Sequence, residues 1–419
     1  MSNPRLVILV ASSDFSTDPR VYKQAITARD NGFDVTVCCY SHFSEYSDTI
    51  EDGCRIIRIP YAHLPLKFRD IKILPIINKL ISIYKKRKQI LDNTNSNISS
   101  HDISPTLDTY VWAIIFYIIT QIYFYYWIIK VKADIYHSTD LVTLLTGVLL
   151  KFTNGGKLLY DSHEMWIESM ENYSITLKKI VSVYENRLIQ HTDAVTTVNT
   201  QIASELSKRY HIPLPTVAMN TPILQDSPEQ ISHENIRVIY QGRYTKNRGI
   251  ENVVLTVPTI PGVTLYMRGI DVYSTGIGST PYIDELKQID SRVIFLPPVP
   301  MKELVQSLNE FDIGIVPYIG NNFNNTNASP NKTFEYMMAG LAVVASDLPV
   351  LREVIEKCNC GCTYISDDLQ DLSRVITEMI PNIEKYKKNS RMWSEKEYNW
   401  DIQGKRIIDI YNKLLLTRP

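Results

Sequence analysis

Residues 318–351 read YIGNNFNNTNASPNKTFEYMMAGLAVVASDLPVL, and they carry the clearest architectural signal in the chain. A polar, Asn-rich loop runs into Ser329-Pro330. Serine suits a helix cap and proline the first helical position. The spacing predicts a helix over Asn331–Ala339, ended by Gly340, and a buried strand over Leu341–Ala345. A helix that starts after a polar loop offers free N–H groups and the positive end of its dipole to an anion. Ser329, Asn331 and Lys332 lie at that start. Glu335 follows about one turn in, where a carboxylate can accept two hydrogen bonds, as vicinal hydroxyls would offer. Local features alone leave an ordinary helix between loop and strand standing beside this reading.

At 419 residues the chain suits two domains of roughly 200 each. A formal net charge of −1 argues against general nucleic-acid binding. Arg5 leads straight into a strand, so a signal peptide is not expected, and the six cysteines are expected as free thiols in a reducing cytoplasm. The Cys358, Cys360, Cys362 cluster lacks C-x-x-C spacing and a fourth ligand, so a loop at a strand edge is favoured over a metal site.

The first half opens as strand, loop, helix, strand. Leu6–Ala11 is apolar, Ser12–Thr17 is polar, Asp18 caps a helix with Pro19 at its first position, and Gly32 precedes the strand Val35–Cys39. Further strands are expected over Cys54–Ile59, Asp134–His137, Lys157–Asp161, Ala194–Val198 and Thr216–Met219, with helices over Ser174–Gln190 and Thr200–Tyr210. Parallel sheets bind ligands at the carboxyl ends of their strands. That rule gathers the Ser12–Thr17 loop with His137, Asp140, Asp161, His163 and Glu164 at one rim. His-Glu at 163–164 is not a zinc-protease motif, because HEMWIE lacks the second histidine.

Two stretches of this half invite a membrane reading. Pro65–Lys88 holds eight basic residues (Lys67, Arg69, Lys72, Lys79, Lys85, Lys86, Arg87, Lys88) against Asp70, with isoleucines and leucines between them. Such a segment suits anionic lipid heads or a solvated helical face. Thr109–Ile129 carries no charge. A helix packed partly on the sheet and partly against lipid ranks first, since a true span would split strands that share a sheet; a fully buried and a spanning helix remain.

The pattern restarts after a Pro-rich linker, Asn220–Glu234. Strands are expected over Ile236–Tyr240, Thr264–Gly269, Val293–Leu296 and Phe311–Val316, and an amphipathic helix over Trp400–Leu415. The turn QGRYTKNRG after the first of these brings Arg243, Lys246 and Arg248 together. Arginine grips phosphate bidentately and keeps its charge. The sequence contains no P-loop, no G-x-G-x-x-G and no Asp-x-Asp.

SPNKTFEYMMAGLAVVASDLPVLREVI closely resembles the donor-binding stretch of the retaining GT-B glycosyltransferases of family 4, and DPRVYKQA resembles a subgroup of them. The resemblance implies a GT-B fold, two Rossmann-like α/β domains facing a cleft, with the last helix returning to the first domain. It implies an acceptor-side domain over 1–219, including a membrane-facing segment over 65–130, a linker over 220–234, a nucleotide-sugar domain over 235–399 and a closing helix over 400–419. Glu335 matches the glutamate that holds the ribose. His163 matches the histidine beside the donor sugar, Arg243 and Arg248 match the basic residues on the diphosphate, and Lys246, Ser329, Asn331 and Lys332 fall among the donor contacts. Asn327 stands where the family usually has a second glutamate, eight positions before Glu335. Asp18, Arg20, His137 and Asp140 fall on the acceptor side. The implied reaction moves a sugar from a nucleotide diphosphate to an acceptor hydroxyl with retention. It uses no metal and no cofactor beyond the nucleotide-sugar co-substrate. The expected setting is polysaccharide or lipid-linked glycan synthesis on the inner face of a membrane. A catalytically weak donor-binding subunit and another GT-B enzyme, such as a sugar-nucleotide epimerase, are the alternatives.

Overall fold

The computed structural model describes residues 3–11, 15, 17–41, 45–60, 107–169, 174–226, 231, 233–246, 248–271 and 281–417, with backbone alone for 107–113 and 116. The basic segment Pro65–Lys88 lies outside the described residues. Two compact units form: Met1–Thr196 with Ile408–Pro419, and Thr197–Ile407.

The first unit is built on strands β1 (Arg5–Val10), β2 (Asp34–Ser41), β3 (Ser47–Glu51), β4 (Cys54–Pro60), β5 (Ile135–Thr139), β6 (Lys157–Ser162) and β7 (Ala194–Thr197). With β8 (Thr216–Val217) the sheet order is β3-β4-β2-β1-β5-β6-β7-β8. Strand β1 pairs parallel with β2 and β5, and β5 with β6. The short, charge-bearing β3 runs antiparallel at the edge. Its sequence, SDTIE, has no apolar periodicity, which is why pattern alone passes over it.

Helix α1 (Pro19–Asp30) shows how locally the start is encoded. Asp18 caps it by accepting from the amides of Arg20 and Val21, and Pro19 supplies a ready-made φ. Its buried side holds Val21, Ala25 and Ala28, and also Arg20, Lys23 and Gln24. Helix α2 (Leu107–Ile128) buries Tyr123, Phe124 and Ile128 and exposes Ile122 and Tyr126. Gln121 ties it to α3 (Leu141–Asn154) by accepting from the Leu145 amide at 2.9 Å, and to α4 (Ile175–Ile189) by donating to the Tyr184 hydroxyl at 3.1 Å. Among the described residues, no helix is long and apolar enough to cross a membrane.

Beyond α5 (Thr200–Tyr210), the second unit holds strands β9 (Ile236–Gln241), β10 (Val263–Arg268), β11 (Ile294–Leu296), β12 (Ile313–Val316), β13 (Ala342–Ser346) and β14 (Gly361–Tyr364). Their order, β11-β10-β9-β12-β13-β14, is parallel throughout. Helices α6 (Ile250–Thr256), α7 (Tyr282–Ile289), α8 (Phe323–Thr326), α9 (Asn331–Met338), α10 (Pro349–Cys358), α11 (Leu369–Met379), α12 (Ile383–Lys396) and α13 (Trp400–Leu416) complete the chain. The period of two along each strand feeds two cores. Val238, Tyr240, Ala342 and Val344 join α6 and α11 on one face. Ile239, Val343 and Ala345 join α9 and α10 on the other. The cysteine cluster lies at the β14 edge of this sheet, not wholly in a loop: Cys358 ends α10, Cys360 is buried, Cys362 lies within β14, and none of the six cysteines forms a disulfide. No group of three or more metal-binding side chains occurs among the described residues.

Tyr336 staples α9 to the sheet. Its hydroxyl accepts from the Gln241 amide at 2.8 Å and donates to the Ile315 carbonyl at 3.4 Å. Gly314 makes room for the ring, since a Cβ there would lie 2.2 Å from Tyr336 Cδ2. Gly314→Ala is therefore expected to destabilise the unit by about 1–3 kcal/mol, as overpacking does. Urea unfolding measures this; an unchanged midpoint would remove Tyr336 as the staple.

Candidate functional site

In the first unit the site grows from a buried carboxylate. Asp161, at the end of β6, is fully buried. Arg20 grips it with Nε at 2.8 Å and Nη2 at 2.9 Å. Gln24 Nε2 at 2.7 Å, Thr196 Oγ1 at 2.8 Å and His163 Nε2 at 3.1 Å also donate to it. Burial alone would raise this carboxyl, but Arg20 and His163 hold it well below the usual carboxylate range.

His163 lies between two acids. Its Nδ1 is 3.2 Å from Asp140 Oδ2, and its backbone N–H donates to Asp140 Oδ1 at 2.9 Å. Burial pulls the imidazole pKa down, but Asp140 and Asp161 outweigh it and raise the pKa to about 10. His163 is thus an imidazolium at neutral pH, a fixed cation rather than a general base. Two cations, Arg20 and His163, face two anions, Asp140 and Asp161. Asp140 holds its place with φ 56° and ψ 171°, a backbone region that strains a non-glycine residue. His137 is completely buried and neutral: burial lowers its pKa more than Asp161 raises it. Its Nδ1 lies 2.6 Å from the hydroxyl of Tyr411.

Among the residues expected on the acceptor side, Asp18 is occupied as the cap of α1, and Arg20 and His137 face Asp161 rather than an open surface. Glu164 accepts from Ser169 Oγ at 2.7 Å. Gln24, Thr196 and Tyr411 were not singled out from sequence. Gln24 was within reach, one turn after Arg20 on the same helix. Tyr411 had no local signal.

In the second unit, cations collect around two tyrosines. Lys332 Nζ sits 3.9 Å from the centre of the Tyr240 ring and 5.6 Å from that of Tyr318. Arg248 stacks over Tyr318 at 4.6 Å and donates to its hydroxyl at 2.5 Å. Burial, then Arg248, pulls the Lys332 pKa down to about 7, with Glu335 opposing. The start of α9 differs from the expected cap. Pro330 occupies the cap position with no side-chain cap bond, because the Ser329 hydroxyl turns inward, where it is buried without a partner. The Thr333 hydroxyl is likewise buried and unpartnered. The amides of Asn331 and Lys332 have no acceptor within the helix. Two buried hydroxyls without a partner thus flank the first turn of α9, beside Lys332. Glu335 lies one turn further along α9, close enough to act electrostatically on Lys332 and Tyr318.

The remaining expected residues spread around this point. Arg243 is exposed and lines a pocket of about 160 Å³ with Gln241, Arg268, Ile270, Pro298 and Leu304. Within it, Gln241 Nε2 and Arg268 Nε are buried and lack partners. Lys246 is drawn aside by Glu285 at 2.7 Å. Asn327 is buried, donates to the Phe323 carbonyl at 2.9 Å, and offers its own carbonyl to Asn199 at 2.9 Å.

Residues 235–382 match the family model for Glycosyl transferases group 1. The fold is GT-B. A sucrose-phosphate synthase from Thermosynechococcus elongatus aligns over 98% of this chain and 99% of its own at 16% identity, with a TM-score of 0.67. A glycosyltransferase from Rickettsia africae aligns over 100% of both chains at 12% identity, with a TM-score of 0.67. Anabaena HepE in complex with UDP-glucose aligns over 98% of this chain and 100% of its own at 15% identity, with a TM-score of 0.62. No curated protein sequence matches the chain.

The His163 arrangement sets a pH dependence. Its folded pKa, about 10, stands above the unfolded value near 6.5. The stability it contributes is therefore complete below pH about 6.5 and is lost as pH rises through about 10. The stability gap between wild type and His163→Gln should shrink over that range in urea titrations. A gap that stays constant or widens contradicts the ion triad.

Proposed function

We propose that this chain is a glycosyltransferase that moves a sugar from a nucleotide diphosphate to an acceptor hydroxyl with retention and without a metal ion. The observation that carries the reading is the start of α9. There a partly desolvated lysine and an arginine share the face of Tyr318, beside two unpartnered buried hydroxyls and a helix start without a side-chain cap, within the segment that matches the family model. A diphosphate answers all of these donors at once. Arg248, Lys332 and the amides oppose the charge that grows on the leaving diphosphate. Arg243 reaches it from the rim of the adjacent pocket, which takes the base. Glu335 accepts the ribose hydroxyls, and His163 holds a sugar hydroxyl. Several solved structures of the same fold carry UDP or UDP-glucose.

The acceptor in this reading is a glycan on a lipid carrier, met at the inner face of a membrane. Exposed Ile122 and Tyr126 on α2, with Lys130 beyond its end, and exposed Ile180 and Val183 beside Lys179 and Arg187 on α4 favour it. A second reading, a donor-binding subunit with little turnover, is favoured by Asn327, whose amide carries no charge and is already engaged by Phe323.

Donor binding tests the proposal. Calorimetry with UDP-, GDP-, ADP- and dTDP-sugars in the presence of a chelator should find one tight class. Arg243→Ala and Glu335→Ala should each weaken it by about a hundredfold, as loss of a charged contact does. Normal binding by either variant overturns that residue's role, and binding without turnover on any acceptor favours the subunit reading.

A further inference from the structure

Asp161 leaves one neighbour unsatisfied. Its Oδ2 already accepts from Arg20, Gln24 and His163. His137 Nε2 lies 3.6 Å from the same oxygen, longer than an ordinary hydrogen bond, and makes no shorter one although the ring is completely buried. A buried imidazole nitrogen left unpaired is costly and uncommon. The opposite nitrogen fixes which one carries the proton. Were Nδ1 protonated, the Nε2 lone pair would face a carboxylate. A hydroxyl of Tyr411 that donates to Nδ1 at 2.6 Å places the proton on Nε2, aimed at Asp161. Phe33 braces that tyrosine, ring edge to face, at 5.4 Å.

His163 meanwhile has both ring nitrogens on carboxylates, so no N–H remains for a ligand. Its side chain is 23% exposed, while His137 and Asp161 are at 0%. Holding a sugar hydroxyl, as the functional reading above asks, requires one His163 N–H to leave its carboxylate, and Nε2 is the one whose acceptor, Asp161 Oδ2, has a second imidazole nitrogen beside it. We propose that His137 is the reserve donor that takes over this oxygen when His163 turns to the substrate, and that Tyr411 is the positioning residue that keeps His137 in the tautomer the exchange needs. One N–H···O bond is released and another forms. No proton changes residue and Asp161 stays ionised. His137 Nε2 needs to approach by less than about 1 Å to reach ordinary bonding distance. The charged groups facing His137 are Asp161, Arg20 and His163, and Arg20, with its two bonds to Asp161, holds the carboxylate ionised while His163 is turned away.

The kinetic arm rests on the sugar-transfer reading, and the spectroscopic arm does not. Tyr411→Phe keeps the ring and removes only the hydroxyl, and a thermal melt confirms folding. In wild type, ¹⁵N spectra of the histidine-labelled full chain should show His137 as a single Nε2–H tautomer near neutral pH. In the variant the two tautomers should mix, donor affinity should stay at the wild-type value, and kcat should fall by about tenfold. His137→Asn should lower kcat similarly, and the double variant should lose little more, since both changes remove one exchange. A wild-type His137 protonated at Nδ1, or a Tyr411→Phe chain with unchanged tautomer and kcat, overturns the proposal. If wild type transfers no sugar from any donor, the functional reading fails while the spectra still decide the role of Tyr411.

Discussion

A buried or half-buried ammonium is costly unless something pairs with it. Lys332 meets that constraint only in part. It leans on the faces of Tyr240 and Tyr318, shares the second with Arg248, and has Glu335 as an acidic neighbour. The second unit therefore carries surplus positive charge where α9 begins, beside two buried hydroxyls without a partner. The surrounding architecture maintains this imbalance. Tyr336 clamps α9 to β9 and β12, Gly314 clears space for that clamp, and Gly242 leaves room for the Lys332 ammonium, which would sit 2.9 Å from a Cβ there.

The first unit solves the opposite problem. Its charges are deep, but they cancel: Arg20 and His163 against Asp140 and Asp161. The result is a rigid, neutral cluster in which one histidine nitrogen is unsatisfied and one histidine is partly exposed. A self-compensated cluster suits orientation of a neutral sugar, whereas an uncompensated one suits an anion. The two units thus differ in electrostatic design although both are built on largely parallel α/β layers.

The sequence disclosed the parts encoded within a few residues. Asp18-Pro19 capped a helix as read, and the α9–β13 stretch folded as its spacing required, with the strand shifted by one residue. It disclosed less where tertiary context overrides local chemistry. Ser329 looks like a cap, yet its hydroxyl is turned inward. Arg20 opens α1, and His137 lies in the middle of β5, which runs two residues past its expected end; both point into the interior toward Asp161, because a buried carboxylate needs them more than solvent does. Tyr411 was invisible: it lies 274 residues from His137, on a helix whose apolar stripe accounts for it without any partner. Strands β3 and β14 were missed for lack of apolar alternation at a sheet edge.

The central claim is that a sugar nucleotide binds at the start of α9 through protein cations alone, with Lys332 as a partly deprotonated member of the set. Calorimetric titration of the tightest sugar nucleotide near pH 7, in chelator and in two buffers of different ionisation heat, tests it most directly. The account predicts binding without any divalent ion, accompanied by net proton uptake that disappears in Lys332→Met. Binding that requires a divalent ion, or that proceeds with no proton uptake, would contradict it.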